Sequence, residues 1–181
     1  MADRRNKNGR DMAITMGAIV VAVLVVVGIY GGFTFSPGRP TEGPAPTADV
    51  TGGFAGVGSA LGFPVVVPQG LPGDWKPTSF VPPDKPGLRS AVRGGWLTPS
   101  GAFVTLIEAP GPREDVQKAE LGQADPPTGQ VEAGGASWSV VSGNRNEMAW
   151  IRPAAGGGFL LITGSALATD FQTLAAAVAT G

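Results

Sequence analysis

The chain has 181 residues, with 13 basic and 14 acidic side chains and neither cysteine nor histidine. Disulfides are therefore excluded as a source of stability, the commonest general base is missing, and a zinc or copper site would have to be built from carboxylates alone. The charge is unevenly divided: residues 1–11 hold four basic against two acidic side chains and the remainder nine against twelve, a mildly acidic balance that leaves no electrostatic footprint for nucleic acid.

The first element in chain order is an apolar stretch from Met12 to Phe35 with no charged residue. Ala18, Ile19, Val20, Val21, Ala22, Val23, Leu24, Val25, Val26 and Val27 are apolar all round rather than along one stripe. The residues from Met12 to Gly32, wound as a helix at about 1.5 Å each, cover roughly the 30 Å of a bilayer's hydrocarbon core. The stretch predicts a single transmembrane helix at 12–35, with the lipid bilayer as its partner through Met12 to Phe35. Arg4, Arg5, Lys7 and Arg10 precede it and the next basic residue is Arg39. The positive-inside rule then places residues 1–11 in the cytoplasm as a basic tail and the carboxyl-terminal part outside. The apolar run exceeds the 7 to 15 residues of a cleaved signal peptide, and its nearest small-residue site, around Ala45 and Ala48, lies well beyond its end. An uncleaved signal anchor is expected.

Residues 36–62 read as a Pro/Gly-rich linker. Pro37, Pro40, Pro44 and Pro46 mark an extended spacer. Phe54, Val57 and Leu61 have helical spacing, but Gly52, Gly53, Gly56, Gly58 and Gly62 predict loose order. The folded domain is expected over 63–181. It begins with a strand at 63–67 ended by Pro68, then a strand near 76–81 that Pro77 confines to an edge. Residues 82–87 are an exposed loop.

A repeat follows. Trp96, Leu97 and Pro99, a turn, and Phe103 leading Val104 to Leu106 match Trp150, Ile151 and Pro153, a Gly-rich turn, and Phe159 leading Leu160 to Ile162. Each copy reads as a β-hairpin, 88–98 with 102–109 and 147–153 with 159–163. A helix follows each, at 112–121 and 169–179. In the second, Phe171, Leu174, Ala175 and Val178 share a face, with Thr169 and Gln172 as a capping box. In the first, Glu114 and Asp115 sit at the positive dipole end behind Pro112. Strands at 130–133 and 136–142 lie between the halves. The predicted class is α+β: an N-terminal single transmembrane helix followed by an antiparallel sheet with two helices packed on one face in a ββα-type repeat. Trp75, Trp96, Trp138 and Trp150 are expected between sheet and helices, in the core rather than as an aromatic cage.

Several segments together resemble the actinobacterial membrane proteins grouped as domain of unknown function 4245. They are Arg10-Asp11-Met12 leading into the apolar stretch, Pro68 to Trp75 (PQGLPGDW), Gly95 to Gly101 (GWLTPSG), Gly134 to Trp138 (GGASW) and Thr163 to Ala166 (TGSA). The resemblance covers nearly the whole chain and implies a single-pass envelope protein with an exported domain. It carries no catalytic or binding residues with it.

No motif points to chemistry. Ser79, Ser90, Ser100, Ser137, Ser139, Ser142 and Ser165 have no histidine to activate them, and Lys76, Lys85 and Lys118 stand in no Ser-x-x-Lys spacing. Glu114, Asp115 and Glu108 could pair for acid-base work, but the first two are explained by the helix dipole. Gly156 to Gly158 lacks the Lys-Ser/Thr of a phosphate loop. Arg89, Arg93, Arg145 and Arg152 are a candidate stripe for anionic lipid or polymer. No catalytic residue, cofactor or metal is therefore expected. The sequence favours a non-catalytic binding module of the cell envelope, for a protein, lipid or wall-polymer partner. The alternative is an envelope hydrolase using Ser or carboxylate residues.

Overall fold

The computed structural model describes residues 12–21, 47–58, 63–83, 91–143 and 147–179. It divides the chain into two units, Met1–Gly43 and Pro44–Gly181. In the first, residues 12–21 form helix α1, and its Met12, Ile14, Met16, Ile19, Val20 and Val21 are exposed. The expected transmembrane helix at 12–35 is corrected here. Among the described residues no helix is long and apolar enough to cross a membrane: ten helical residues rise about 15 Å, half the hydrocarbon thickness. Residues 22–35 of that expected element, like the basic tail at 1–11, lie outside the described residues.

The second unit is α+β. Its strands are β1 (Lys76–Val81), β2 (Val92–Leu97), β3 (Phe103–Pro110), β4 (Gly129–Ala133), β5 (Ala136–Ser142), β6 (Met148–Pro153) and β7 (Gly158–Gly164). They form one antiparallel sheet in the order β1-β2-β3-β7-β6-β5-β4. Its helices are α2 (Val50–Val57), α3 (Arg113–Leu121) and α4 (Ala168–Ala177). Local chemistry sets the hairpins. Thr98 and Ala102 close the β2–β3 turn through a 2.9 Å backbone bond, while Gly134 and Gly135, at φ 59° and 72°, form the two-residue connection that the twist of β4 and β5 favours. Pro77 does place β1 at an edge, and the β1–β2 register shifts between Pro77 and Ser79.

Alternation along the strands sorts side chains onto two faces. One carries Val92, Trp96, Val104, Leu106, Trp138, Trp150, Leu160 and Ile162, covered by Val50 and Phe54 of α2, by Phe63 and Trp75, and by Phe171, Leu174 and Ala175 of α4. All four tryptophans lie in this cluster, as core residues between sheet and helices. The other face carries Ile107, Ala109, Val141, Ala149, Ile151 and Leu161 against Val116 and Leu121 of α3. The expectation of two helices on one face is thus corrected. The ββα order recurs, but α2, residues 63–75 and α4 already fill the tryptophan face, so α3 covers the opposite one.

Three local expectations also change. Residues 50–57, read as linker, are a helix whose Asp49 side chain accepts from Gly52 N–H at 2.9 Å, with Val50 and Phe54 buried. Residues 63–67, read as a strand, join no ladder of the sheet. They cross the tryptophan face as a strap. Helix α4 starts one residue early, and its cap is the Asp170 carboxylate accepting from Leu167 N–H at 3.2 Å, in place of Thr169 with Gln172.

Candidate functional site

Glu108 stands in the middle of β3 between Ile107 and Ala109, and none of it reaches solvent. Strand alternation turns it to the tryptophan face. There its Oε2 accepts from the backbone N–H of Val66 at 2.9 Å, pinning the strap to the sheet, while its Oε1 has no hydrogen-bond partner. Removal from water disfavours the charged form and pushes the carboxyl from 4.5 up to about 7, against the opposing pulls of the Val66 N–H and the Arg152 charge.

Register places the rest of the site in one row across the sheet. Glu108 lies opposite Leu160, and Leu160 opposite Arg152 on β6. Trp138 follows one step beyond the Ser139–Ile151 pair. The guanidinium carbon of Arg152 sits 5.0 Å from the centroid of the Trp138 ring, within the range of a cation–π contact. The ring is itself fixed, because its indole N–H donates to Ala133 O at 3.1 Å. Arg152 is half-buried. Burial lowers the proton affinity of its guanidinium and the Glu108 charge raises it. Its Nε is inaccessible and unpartnered.

Arg152 opens onto a cleft of about 340 Å³ lined by Val66, Leu160, Val178 and the alanines 136, 154 and 155, with Gly134 and Gly135 at one end. Four parts of the chain build it: the strap, the β4–β5 turn, the β6–β7 connection and the end of α4. Its lining side chains are aliphatic apart from Arg152, its one charged residue, and backbone groups leave polar surface between them.

The other candidates are dispersed. Arg93 is on the opposite face, where its Nε and Nη2 donate to the Glu120 carboxylate of α3, at 2.8 Å through Nε. The proposed arginine stripe is therefore split, and Arg89 and Arg145 lie outside the described residues, as do Ser90 and Lys85. Ser100 bonds Thr98 at 2.8 Å within the β2–β3 turn, and Ser165, just after β7, accepts from Phe103 N–H at the start of β3 at 3.0 Å. Ser79, Ser139 and Ser142 are half-buried on strands, and Ser137, Lys76, Lys118, Glu114 and Asp115 are exposed. None of these lines the Arg152 cleft. Among the described residues no three acids are grouped as a metal site. Glu108 was visible in the sequence as a lone acid in an apolar strand. Its link to Arg152 was not, because it depends on β3 and β6 both flanking β7.

A family model described as "Protein of unknown function (DUF4245)" matches residues 4–178. No curated protein and no solved structure matches the chain.

Proposed function

The chain belongs to the DUF4245 family, and we propose that it is a non-catalytic binding module of the cell envelope, held at the cell membrane with its folded unit on the extracytoplasmic side. The observation that carries the binding role is Arg152, a cation braced on a fixed tryptophan at the wall of a cleft whose other lining side chains are aliphatic. A braced charge in such a cleft is equipment for orienting a ligand. Among the described residues the one acid with a strongly displaced proton affinity, Glu108, is sealed beneath the strap and cannot touch a substrate, which weighs against an envelope hydrolase.

Support for the location comes from the sequence. Four basic residues precede the apolar stretch and none follows it before Arg39, and the apolar side chains of α1 are exposed and need a cover. Abundant Gly, Ala and Pro, with arginine in excess over lysine, suit a high-GC genome such as an actinobacterium's.

Cross-linking of intact cells followed by purification of the full-length chain tests the role. A discrete envelope protein, lipid or polymer whose capture Arg152→Gln abolishes is the expected result. Turnover of ester or glycoside probes by the purified chain, lost on removal of a serine or carboxylate, would replace the binding reading with the hydrolase. Protease added to intact cells should reach the carboxyl-terminal unit.

A further inference from the structure

We propose that the cleft beside Arg152 takes a small amphiphile carrying a single carboxylate on a short apolar body, an assignment that rests on reading the domain as a binding module. Three features lead to it. The lining side chains are small or aliphatic apart from one cation, with backbone polar groups between them, so a ligand meets aliphatic contacts and a single charge that an anionic group would satisfy. Arg152 makes no ion pair within 4.0 Å among the described residues, and its face is taken by Trp138. The terminal nitrogens at its edge remain for a carboxylate, which a guanidinium binds through two parallel N–H···O bonds.

The third feature is the number of charges at the cleft. Glu108 lies two strands from Arg152 across Leu160, roughly 10 Å at the usual strand spacing. No ion pair within 4.0 Å joins the two among the described residues, and Glu108 is fully buried, so it offers a ligand in the cleft no second charge. With one cation at its wall and no second charged residue in its lining, the cleft matches a monoanion in charge and not a dianionic phosphate. The remaining charged residues of the neighbouring strands, Arg93 on β2 and Glu132 on β4, alternate to the opposite face.

The test is a titration of the full-length chain with hexanoate labelled with ¹³C at the carboxyl, followed by the labelled resonance. Saturable binding is expected. Arg152→Gln should weaken it at least tenfold, with Arg152→Lys in between, and the unfolding midpoint should show that each variant is folded. Ala155→Trp, placed at the exposed mouth of the cleft, should block it without disturbing the core. Hexan-1-ol should bind at least tenfold more weakly, and octanoate roughly tenfold more tightly, for two further methylenes largely taken out of water. The proposal is overturned if hexanoate does not saturate, if hexanol or inorganic phosphate binds as well as hexanoate, or if Arg152→Gln binds unchanged. A failure of hexanoate beside a partner captured in an Arg152-dependent way removes this ligand class and leaves the binding module. Failure of both removes the module as well.

Discussion

Glu108 is the residue at which sequence, structure and solution behaviour meet. Its folded proton affinity, about 7 against an ordinary 4.5, means that between those pH values the folded chain keeps a proton that the unfolded chain has released. Stability tied to Glu108 is then fully present below pH 4.5, falls as the pH rises towards 7, and is flat above it. At 1.36 kcal/mol per unit, the loss is at most about 3 kcal/mol. Glu108→Gln leaves Val66 N–H an acceptor and removes the titration. Urea unfolding at pH 5 and pH 8 should show the variant level with the parent at the lower pH and about 2 kcal/mol more stable at the higher one. A parent that gains stability between pH 5 and pH 8 would show that Glu108 is held as a charged ion.

At the level of single elements, what is legible in the sequence is what is locally determined. The β2–β3 and β6–β7 hairpins and α4 follow from alternation, turn residues and one apolar stripe, all within a few residues of one another. Helix α2 and the strap are not legible, because distant residues decide them. The glycines that weaken a helix at 50–57 in isolation serve contact here: a Cβ on Gly53 would meet the Phe80 ring of β1 at 2.6 Å. The strap has strand composition, but its Val66 N–H goes to a side chain 42 positions away. The face chosen by α3 depends likewise on what already covers the tryptophans. The β4–β5 turn offers a sharp test of contact against conformation. Gly134 and Gly135 both have positive φ, but a Cβ on Gly134 would meet the Ala175 carbonyl oxygen of α4 at 2.3 Å, whereas one on Gly135 meets nothing within 4 Å. Gly135→Ala should cost about 1 kcal/mol, the left-handed penalty alone. Gly134→Ala adds the overlap with α4 and should cost about 2 to 4 kcal/mol in urea unfolding. Equal costs would show that α4 does not press on the turn.

For the whole molecule, the question is where the independently stable part begins. A sequence reading that starts the fold at Phe63 leaves α2 outside, yet Phe54 is 0% and Val50 1% exposed, and Ala48 N–H donates to Pro77 O on the edge strand at 3.1 Å. A chain of residues 44–181 retains every one of these contacts. A chain of residues 63–181 loses a buried Phe and a buried Val and uncovers β1 and β2, at a cost of about 4 kcal/mol or more for the core atoms alone. Against a total of about 5 to 15 kcal/mol for a domain, that leaves little. The 44–181 chain should therefore unfold in one cooperative step at the midpoint of the full chain, and the 63–181 chain at a much lower urea concentration or with no cooperative step. Cell fractionation of the same chains separates folding from location. The full chain should sediment with membranes and the 44–181 chain, produced without residues 1–43, should not. If the shorter chain is equally stable, α2 is an ornament on the sheet and the folded unit does begin at Phe63. If the 44–181 chain still sediments with membranes, the apolar amino-terminal segment is not what holds the protein there.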